Sequence, residues 1–262
     1  MSLTSKSPSD TYQDLLHMNN SNNGIDGTLR NITSGKGDSS LISISTNKVK
    51  IKPTSNTTAT LDIHNAAGTS LLSVDSTNSR VLGPNNVYMN TQYAYFGVAD
   101  SIATNFSANT HYALPFTNNA QTSSTQDNIT LGTSTDPATT FTTADGSTTD
   151  ASLIVPVMWL VPDAITIDAV YSFEGGDNAT GATTRMHLMS YTFTSGSTSA
   201  LTAGTLLAHN SDVTNAGSEQ AYKSTWTVDS ATVAADKVIL ATFLATDVTG
   251  DYSSSVIIKY HL

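Results

Sequence analysis

The stretch from Leu61 to Gly83, LDIHNAAGTSLLSVDSTNSRVLG, consists of short runs in which apolar and polar residues alternate. Asn, Gly and Ser residues interrupt these runs, and a period of two bounded by such residues predicts strand, turn, strand. Strands this short find few partners within one chain, and a lone hairpin is marginal in water. Several copies wound around an axis would bury the apolar faces. We therefore predict a β-rich shaft with an interface formed by Leu61, Ile63, Leu71, Val74 and Val81.

A hairpin is predicted just before this stretch. Residues 41–45 and 48–52 alternate strictly on either side of a short turn. Lys48, Lys50 and Lys52 would all point to one face of that hairpin. Such a row is typical of a solvated outer face or of a sheet edge that lysines protect from pairing, and a nucleic-acid site is the less favoured interpretation.

The best helix candidate lies near the N-terminus, at residues 10–19. Asp10 can cap it, and Gln13 occupies the capping-box position. A helix of about ten residues is too short to be stable alone in water, so its apolar stripe needs a partner. That partner is either a larger assembly, which would make residues 1–35 an anchoring arm, or the domain of the helix itself. The candidate anchor residues at i, i+3 and i+4 are Tyr12, Leu15 and Leu16.

The predicted strands become longer from residue 86 onward, and Gly, Asn, Asp and Ser turns separate them at the spacing of a sandwich or barrel. No long amphipathic helix is predicted there. We therefore expect an all-β protein with a short N-terminal helix and arm (1–35), a β shaft (36–85) and a C-terminal jelly-roll-like β-sandwich (86–262) of about eight to ten strands. The main predicted strands cover residues 87–99, 111–116, 164–174, 184–193, 205–209, 220–228, 236–245 and 252–261.

Two segments of the C-terminal domain lack a clear alternation. Residues 117–150 are rich in hydroxyl side chains and form an unusually long loop for a compact domain. They are either an excursion at the tip of the domain or several short strands. Residues 153–161, LIVPVMWLV, are the most apolar run in the chain, and we predict a central buried segment there despite Pro156.

The charge of the chain is distributed unevenly. Residues 86–262 contain fifteen Asp and Glu but only four Lys and Arg. Residues 1–85 contain six Asp and Glu and seven Lys and Arg. An acidic region is poorly suited to nucleic acid, because phosphate binding needs clustered Lys and Arg. It is equally unsuited to anionic membrane surfaces. We expect neither nucleic acid nor a membrane as a partner.

The chain contains no cysteine, which excludes disulfides, thiolate nucleophiles and zinc–cysteine sites. No apolar run approaches the roughly 18 residues that a membrane span requires. The opening residues, MSLTSKSPSD, lack the apolar core of a signal peptide. We therefore expect a protein made in a cytoplasm, without a cleaved signal and without membrane insertion.

Catalysis is not predicted. Glycan hydrolysis would need two facing carboxylates, but Glu174 and Glu219 are the only glutamates, and the aspartates of the C-terminal domain are scattered near turns. No Gly-rich phosphate loop, G-x-S-x-G elbow or dinucleotide fingerprint is present. We predict no enzyme, no catalytic residues and no cofactor.

Metal binding is not predicted either. No two histidines stand at a metal-ligand spacing such as H-x-x-x-H, and His187 is interpreted as a core or interface residue of a strand. The loops 174–181 and 246–251 could ligate calcium through oxygens, but they lack the spaced acids of an EF-hand loop, and turn formation is the favoured interpretation. The histidines are His17, His64, His111, His187, His209 and His261.

Aromatic side chains could form a sugar-binding face, because they stack on sugars and carry hydrogen-bonding tips. Tyr191, Tyr222, Trp226 and Tyr252 are candidates, but each is more typical of a β core. No binding site is assigned to them.

The pattern L-x-I-x-N-x-x-G-x-x-L-x-x-V-D-x-x-x-x-x-V at Leu61–Val81 resembles the link of tail-fibre-type virion proteins of tailed bacteriophages. The opening SPSDTYQDLLHMNNSNNGIDGTLRNI is similar to the N-terminal leader of a group of such proteins from marine phages. That group typically has a C-terminal β domain with an ending like VIIKYHL, found here at Val256–Leu262. The resemblance covers both ends and the link, and it implies a virion structural protein.

Pattern and resemblance together predict a homotrimeric fibre or spike in the virion. Its N-terminal arm would contact other virion proteins, and its β head would bind a host-surface receptor or glycan with the avidity of three copies. The first alternative is a capsid decoration or head-fibre protein. A second alternative is a polysaccharide-depolymerising spike. A third is a bacterial surface adhesin, and the missing export signal disfavours the adhesin.

Overall fold

The computed structural model describes residues 13–18, 20, 23–102, 107–116, 129–143, 151–177, 179–217, 220–247 and 249–262. These residues are mostly β-strand, and the all-β fold predicted from the sequence is confirmed. The chain divides into two compact units, Met1–Met89 and Asn90–Leu262, which we call the N-terminal and C-terminal units. The division lies four residues beyond the predicted boundary at residues 85 and 86.

The N-terminal unit begins with a four-stranded antiparallel sheet in sequence order. Its strands are β1 (Leu16–Met18), β2 (Arg30–Ser34), β3 (Ser39–Ile44) and β4 (Val49–Ile51). The predicted hairpin at residues 41–52 is the pair β3–β4. The predicted division between residues 35 and 36 cuts this sheet, because β2 and β3 pair across it.

The helix predicted at residues 10–19 is wrong where the structure describes it, because residues 16–18 form β1 and pair with β2. Tyr12 lies outside the described residues. A short helix leaves four N–H and four C=O groups unsatisfied at its ends, whereas an added strand pairs with a neighbour along its whole length. The apolar spacing in this segment was compatible with a helix, but the open edge of β2 offered the better partner.

A second meander follows, with strands β5 (Leu61–His64), β6 (Ser70–Asp75) and β7 (Arg80–Leu82). All three strands were predicted. The β5–β6 turn is fixed by Asn65, whose side-chain oxygen accepts hydrogen bonds from the N–H groups of Ala67 and Thr69 at 3.0 and 2.9 Å. Gly68 in this turn has φ +82°, a left-handed conformation that glycine adopts without strain.

The C-terminal unit is a sandwich of two antiparallel sheets. We name the sheets after central strands: the β19 sheet has the order β15-β11-β19-β8, and the β12 sheet has the order β10-β18-β12-β13-β16. Three short strands pair at their sides, β17 with β11, β14 with β12 and β9 with β18. The strands are β8 (Gln92–Ile102), β9 (Tyr112–Ala113), β10 (Trp159–Val161), β11 (Ile165–Asp177), β12 (Thr183–Phe193), β13 (Leu201–His209), β14 (Val213–Thr214), β15 (Gln220–Thr225), β16 (Thr227–Val228), β17 (Thr232–Val233), β18 (Lys237–Ala245) and β19 (Asp251–His261).

The strand order is that of a jelly roll. The principal strands alternate between the sheets along the chain, and only β12 and β13 are consecutive within one sheet. The result is β8-β19-β11-β15 facing β10-β18-β12-β13, the two interlocked Greek keys of that architecture. The predicted jelly-roll-like sandwich is thereby confirmed.

The main core lies between the two sheets. Alternate residues of the central strands point inward, as the period of two requires, and Val170, Met186 and Ile258 are fully buried. The buried indole of Trp226 has a hydrogen-bond partner, because its Nε1 donates a hydrogen bond to Ser172 Oγ at 2.9 Å. This core fixes the orientation of both sheets and hence of every residue on their outer faces.

A second core covers the outer face of the β12 sheet. Side chains from residues 107–116, 129–143 and 151–158, which we call the covering layer, pack on Met189, Tyr191 and Leu240. Neither prediction for residues 117–150 describes the segment 129–143, because it lies on the sheet and buries Ile129, Leu131 and Phe141.

The apolar run at residues 153–161 is not the central buried segment that was predicted, because it is only partly buried and ends in an edge strand. It forms the short helix α1 (Ala151–Ile154), a 3-10 turn (Val155–Val157) and the edge strand β10. Val155 is 65% exposed, while Ile154 and Val157 are buried in the second core. Pro156 has no N–H to donate to a ladder, which explains why this run lies at a sheet edge despite its hydrophobicity.

Candidate functional site

One face of the four-stranded sheet is apolar and open. Register pairs Ile44 with Val49 and Ile42 with Ile51, so four branched side chains share this face. Val49 is 72% exposed. The same face borders an open groove of about 730 Å³. The groove is lined by Leu15, Leu16, Met18, Ile25, Ile32 and Ile44 among others.

The opposite face of this sheet is polar. Lys50 lies across from Ser43, and the Ser43 hydroxyl donates a hydrogen bond of 2.5 Å to Asn31 Oδ1. The predicted anchor residues Leu15 and Leu16 are both exposed. The sheet therefore has a clear division into a polar side and an apolar side, and the apolar side is incompletely covered by the described residues.

The three-stranded meander has the same two-sided character. Leu61, Val74 and Val81 form one cross-strand row, and Ile63 pairs with Leu72. Ile63 is 46% exposed and Val81 is 43% exposed. Four of the five predicted shaft residues thus lie together, since alternation places Leu61 and Ile63 on one side of β5.

Leu71, the fifth predicted residue, lies at an irregularity in the register between β5 and β6. Its neighbour Leu72 is the residue that pairs with Ile63. The sequence run Leu71-Leu72 offered two apolar residues, and only the bulge decides which one enters the row. Leu72 is therefore the residue that sequence reasoning missed here.

The polar side of the meander is held by charged contacts. Asp62 Oδ2 lies 2.7 Å from His64 Nε2. Asp75 is buried, and its Oδ2 lies 2.8 Å from Arg80 Nε. Hydrogen bonds from Asn78 and Arg80 lower the pKa of Asp75. These contacts fix the turns of the meander without covering its apolar row.

Three histidines meet on the outer face of the β12 sheet, beneath the covering layer. The rings of His111 and His187 are 4.9 Å apart in an edge-to-face arrangement, and those of His187 and His209 are 6.2 Å apart and stacked. His111 and His187 are almost completely buried. Sequence reasoning missed this cluster because the three residues are far apart in the chain, and no motif signals it.

The hydrogen bonds of the cluster are incomplete. His111 Nε2 lies 2.8 Å from the carbonyl oxygen of Ser134, and His187 Nε2 lies 3.7 Å from Asp136 Oδ1. The Nδ1 atoms of both rings and the hydroxyl of Thr242 find no partner among the described residues. Buried polar atoms without partners cost free energy, so this cluster is a weak point of the fold.

Burial favours the uncharged form of His111 and His187. Burial lowers the pKa of His187 to about 3, and His111, Arg185 and His209 add to this shift by charge repulsion. Burial also lowers the pKa of His111, although Ser134 and Asp136 oppose that shift. No group of three or more His, Asp or Glu side chains in the described ranges is arranged to hold a metal ion.

A buried carboxyl group lies inside the sandwich at the end where β11 and β12 join. Thr184 Oγ1 donates a hydrogen bond of 2.6 Å to Glu174 Oε2, while Ser224 and Asn210 donate to Oε1 at 3.2 and 3.4 Å. Burial raises the pKa of Glu174 despite these bonds. The partners of Glu174 among the described residues are neutral donors, so the arrangement is a polar plug in the core rather than a carboxylate pair.

A small cavity adjoins Glu174. Its volume is about 20 Å³, which is room for a single water molecule, and Asn215, Tyr222 and Tyr252 contribute to its walls. The aromatic residues considered for sugar binding mostly belong to the core, because Tyr191, Trp226 and Tyr252 are buried.

The most exposed aromatic residues of the described part of the C-terminal unit lie elsewhere, on the outer face of the β19 sheet. Tyr93 is 52% exposed, Phe173 is 51% exposed, and Tyr95 lies between their rows. The alternation Tyr93-x-Tyr95 within the aromatic-rich run at residues 87–99 was a usable signal for this face. The sequence could not show which side of β8 would be covered.

Comparisons with other proteins do not assign the chain to a family. No protein-family model matches it, and no curated protein matches it. In the part of the chain that the structure describes, no helix has the length and hydrophobicity of a membrane span. Function is therefore argued from the geometry above.

Proposed function

We propose that this chain is a structural virion protein of a tailed bacteriophage, without enzymatic activity. It forms a homotrimeric fibre or spike, attaches to the particle through its N-terminal segment and presents its jelly roll to the host surface. The observation that carries the proposal is the pair of open apolar faces in the N-terminal unit, at Ile42–Val49 and at Ile63–Val81. The sequence resemblance to tail-fibre-type proteins supports the same assignment.

The physical reason is the cost of leaving these faces in water. Burying an exposed Val, Leu or Ile side chain contributes about 1.5–3 kcal/mol, and small sheets become stable only when one face is covered. Several such residues per chain, each partly exposed, provide a strong drive for association. Identical chains are the simplest partners for these faces, because each chain brings the same apolar rows. We propose three copies because the resemblance to tail-fibre-type proteins implies a trimer.

The jelly roll supports a binding role for the C-terminal unit. Its two cores make it a rigid body, and exposed aromatic residues are common at recognition surfaces. A trimer would present three such surfaces, and multivalent attachment can raise the apparent affinity by orders of magnitude.

The proposal is tested by the native mass of two purified proteins, the full chain and a chain that begins at Asn90. We expect the full chain to have three times its mass of 27.5 kDa, and the shortened chain to be monomeric. Light scattering during gel filtration gives both masses. A monomeric full chain would contradict the homotrimer, and a trimeric shortened chain would place the main association surface in the C-terminal unit.

Location on the particle separates a tail fibre from a capsid decoration protein. Antibodies against the C-terminal unit, imaged on purified particles by electron microscopy, should label the tail. Label distributed over the capsid would replace the tail assignment with the decoration role, and particles without label would contradict a virion function.

A further inference from the structure

The outer face of the β19 sheet carries a row of large side chains across three strands. Register places Tyr95 opposite Ile257 and Ile257 opposite Tyr171. Neighbouring strands are about 4.8 Å apart, so the two tyrosines of this row are separated by roughly 10 Å. Tyr93 and Phe173 flank the row on opposite sides. The result is a broad aromatic surface on a rigid sheet.

The row beside this one combines a glycine and a serine with two larger side chains. The next row reads Gly97, Ser255, Phe173 and Lys223 across β8, β19, β11 and β15. Gly97 is buried and adds no side chain beside Tyr95, and Ser255 brings a hydroxyl that can donate or accept a hydrogen bond. Flat aromatic rings bordered by hydroxyls suit the mixed apolar and polar faces of a sugar ring.

The cationic side chains of the C-terminal unit are few and unevenly distributed. The C-terminal unit contains only four cationic side chains, Arg185, Lys223, Lys237 and Lys259, against fifteen Asp and Glu in residues 86–262. Two of the four, Lys223 and Lys259, lie on this face, in the rows of Phe173 and Tyr93. Cations are therefore concentrated where the exposed aromatic residues are.

These two lysines differ from the other two in their contacts. Arg185 pairs with Asp212 at 2.7 Å, and Lys237 donates a hydrogen bond to Thr192 at 2.7 Å, both on the β12 sheet. Neither Lys223 nor Lys259 has a carboxylate within ion-pair distance among the described residues. An acidic unit that places two of its few cations beside exposed rings has, at that place, a surface complementary to an anion.

We propose that this face, defined by Tyr93, Tyr95, Tyr171, Phe173, Lys223 and Lys259, binds an acidic polysaccharide. Sugar rings stack on Tyr95 and Tyr171, and the two lysines contact carboxylates of the chain. The inference rests on the proposed host-binding function, for which it names the ligand class and the surface. The two lysines beside the exposed rings favour an anionic glycan over a second copy of this acidic unit.

The test measures binding of the full chain to alginate, a polymer of uronic acids, with neutral dextran of similar length as the comparison. Affinity electrophoresis gives the dissociation constants. We expect alginate, but not dextran, to retard the wild-type protein, and added salt to weaken the binding because the lysine contacts are exposed. Chondroitin sulfate and polysialic acid serve as further acidic probes.

Two variants locate the site. Tyr95→Ala should weaken binding by up to about tenfold per site, and Lys259→Gln by about threefold with a reduced salt dependence. The matched controls lie on the other sheet: Phe193→Ala removes an aromatic ring that is 40% exposed, and Lys237→Gln removes the same charge. Both controls should bind like the wild type.

The inference is overturned if no acidic probe binds, if dextran binds as well as alginate, or if the controls weaken binding as much as the two variants do. The native mass is measured for every variant. If Tyr95→Ala reduces a trimer to a monomer, the face is an interface between copies and not a glycan site. A wild-type trimer that binds no acidic probe overturns this inference alone, whereas a monomer that binds alginate contradicts only the proposed homotrimer.

Discussion

At the scale of single residues, buried histidines make the C-terminal unit sensitive to acid. His111 and His187 lie under the covering layer with Nδ1 atoms that lack partners among the described residues. Two charged groups face them, Asp136 from the covering layer and Arg185 beside His187. The titratable ring of His209 on β13 also lies near, and it contacts Asp229, which follows β16. Asp136 approaches His187 at 3.7 Å, but its side chain is 60% exposed and compensates only weakly for a positive charge on the buried ring.

The direction of the pH effect follows from the pKa of His187, which is about 3 in the folded chain and 6.5 in an unfolded one. The unfolded chain therefore binds the proton first. Stability from the neutral ring is complete above about pH 6.5 and is lost as the pH falls toward 3, by about 1.4 kcal/mol per pH unit. We expect the free energy of unfolding to fall between pH 6.5 and 5.

Urea unfolding of the wild type and of His187→Gln at several pH values checks this expectation. The variant should lose less stability between pH 6.5 and 5, because a non-titrating side chain replaces one of the two buried rings. The readout is the slope against pH, which does not depend on how stable the variant is at neutral pH. Equal slopes for the two proteins would show that His187 does not carry the acid sensitivity.

At the scale of the elements, the covering layer is held against β13 by a close backbone approach. The N–H of Gly204 donates a hydrogen bond of 2.9 Å to the carbonyl oxygen of Thr139. A Cβ atom at position 204 would lie 2.7 Å from Thr139 Cα and 2.7 Å from a ring carbon of Tyr191. No side chain larger than hydrogen fits without moving backbone.

We therefore expect Gly204→Ala to destabilise the C-terminal unit by about 1–3 kcal/mol, the usual cost of overpacking a core. Differential scanning calorimetry of the full chain measures the loss. Gly217→Ala is the matched control, because nothing lies within 4 Å of an added Cβ at that position. If both variants unfold at the wild-type temperature, the covering layer is not held as closely as the geometry indicates.

The apolar rows of the N-terminal unit also belong to the scale of elements, since each arises from the register of one meander. Alternation alone placed Leu61, Val74 and Val81 together, and the pairing of β5, β6 and β7 agrees. The bulge that selects Leu72 depends on how the turn at Asn65–Gly68 closes. Local pattern predicts which residues are apolar, but hydrogen bonding between strands decides which of them form a row.

At the scale of the whole molecule, association through these rows has a direct test in the full chain. Val81→Lys places a charge in the row of the three-stranded meander, and Val49→Lys does so in the four-stranded sheet. We expect both changes to shift the proposed trimer toward monomer, because an unpaired charge resists burial in an apolar interface. Sedimentation equilibrium measures the mass.

The control for these changes is Leu160→Lys, at an exposed position of the edge strand β10 in the C-terminal unit. It adds the same charge and should leave the trimer intact. Circular dichroism should show unchanged β content in all three variants. A trimer that persists in both Val49→Lys and Val81→Lys would mean that other surfaces hold the copies together.

The sequence by itself determined the all-β class, the positions of the long strands and the two-sided character of both meanders, because a period of two bounded by turn residues is a local property of the chain. It misplaced residues 16–18 and 153–161, where short apolar runs are compatible with more than one structure. Only the tertiary structure brought His111, His187 and His209 together, buried Glu174 and left Tyr95 and Lys259 on an open face. Those arrangements depend on which strands pair and which sheet face is covered, and contacts between residues far apart in the chain leave no periodic signal in it.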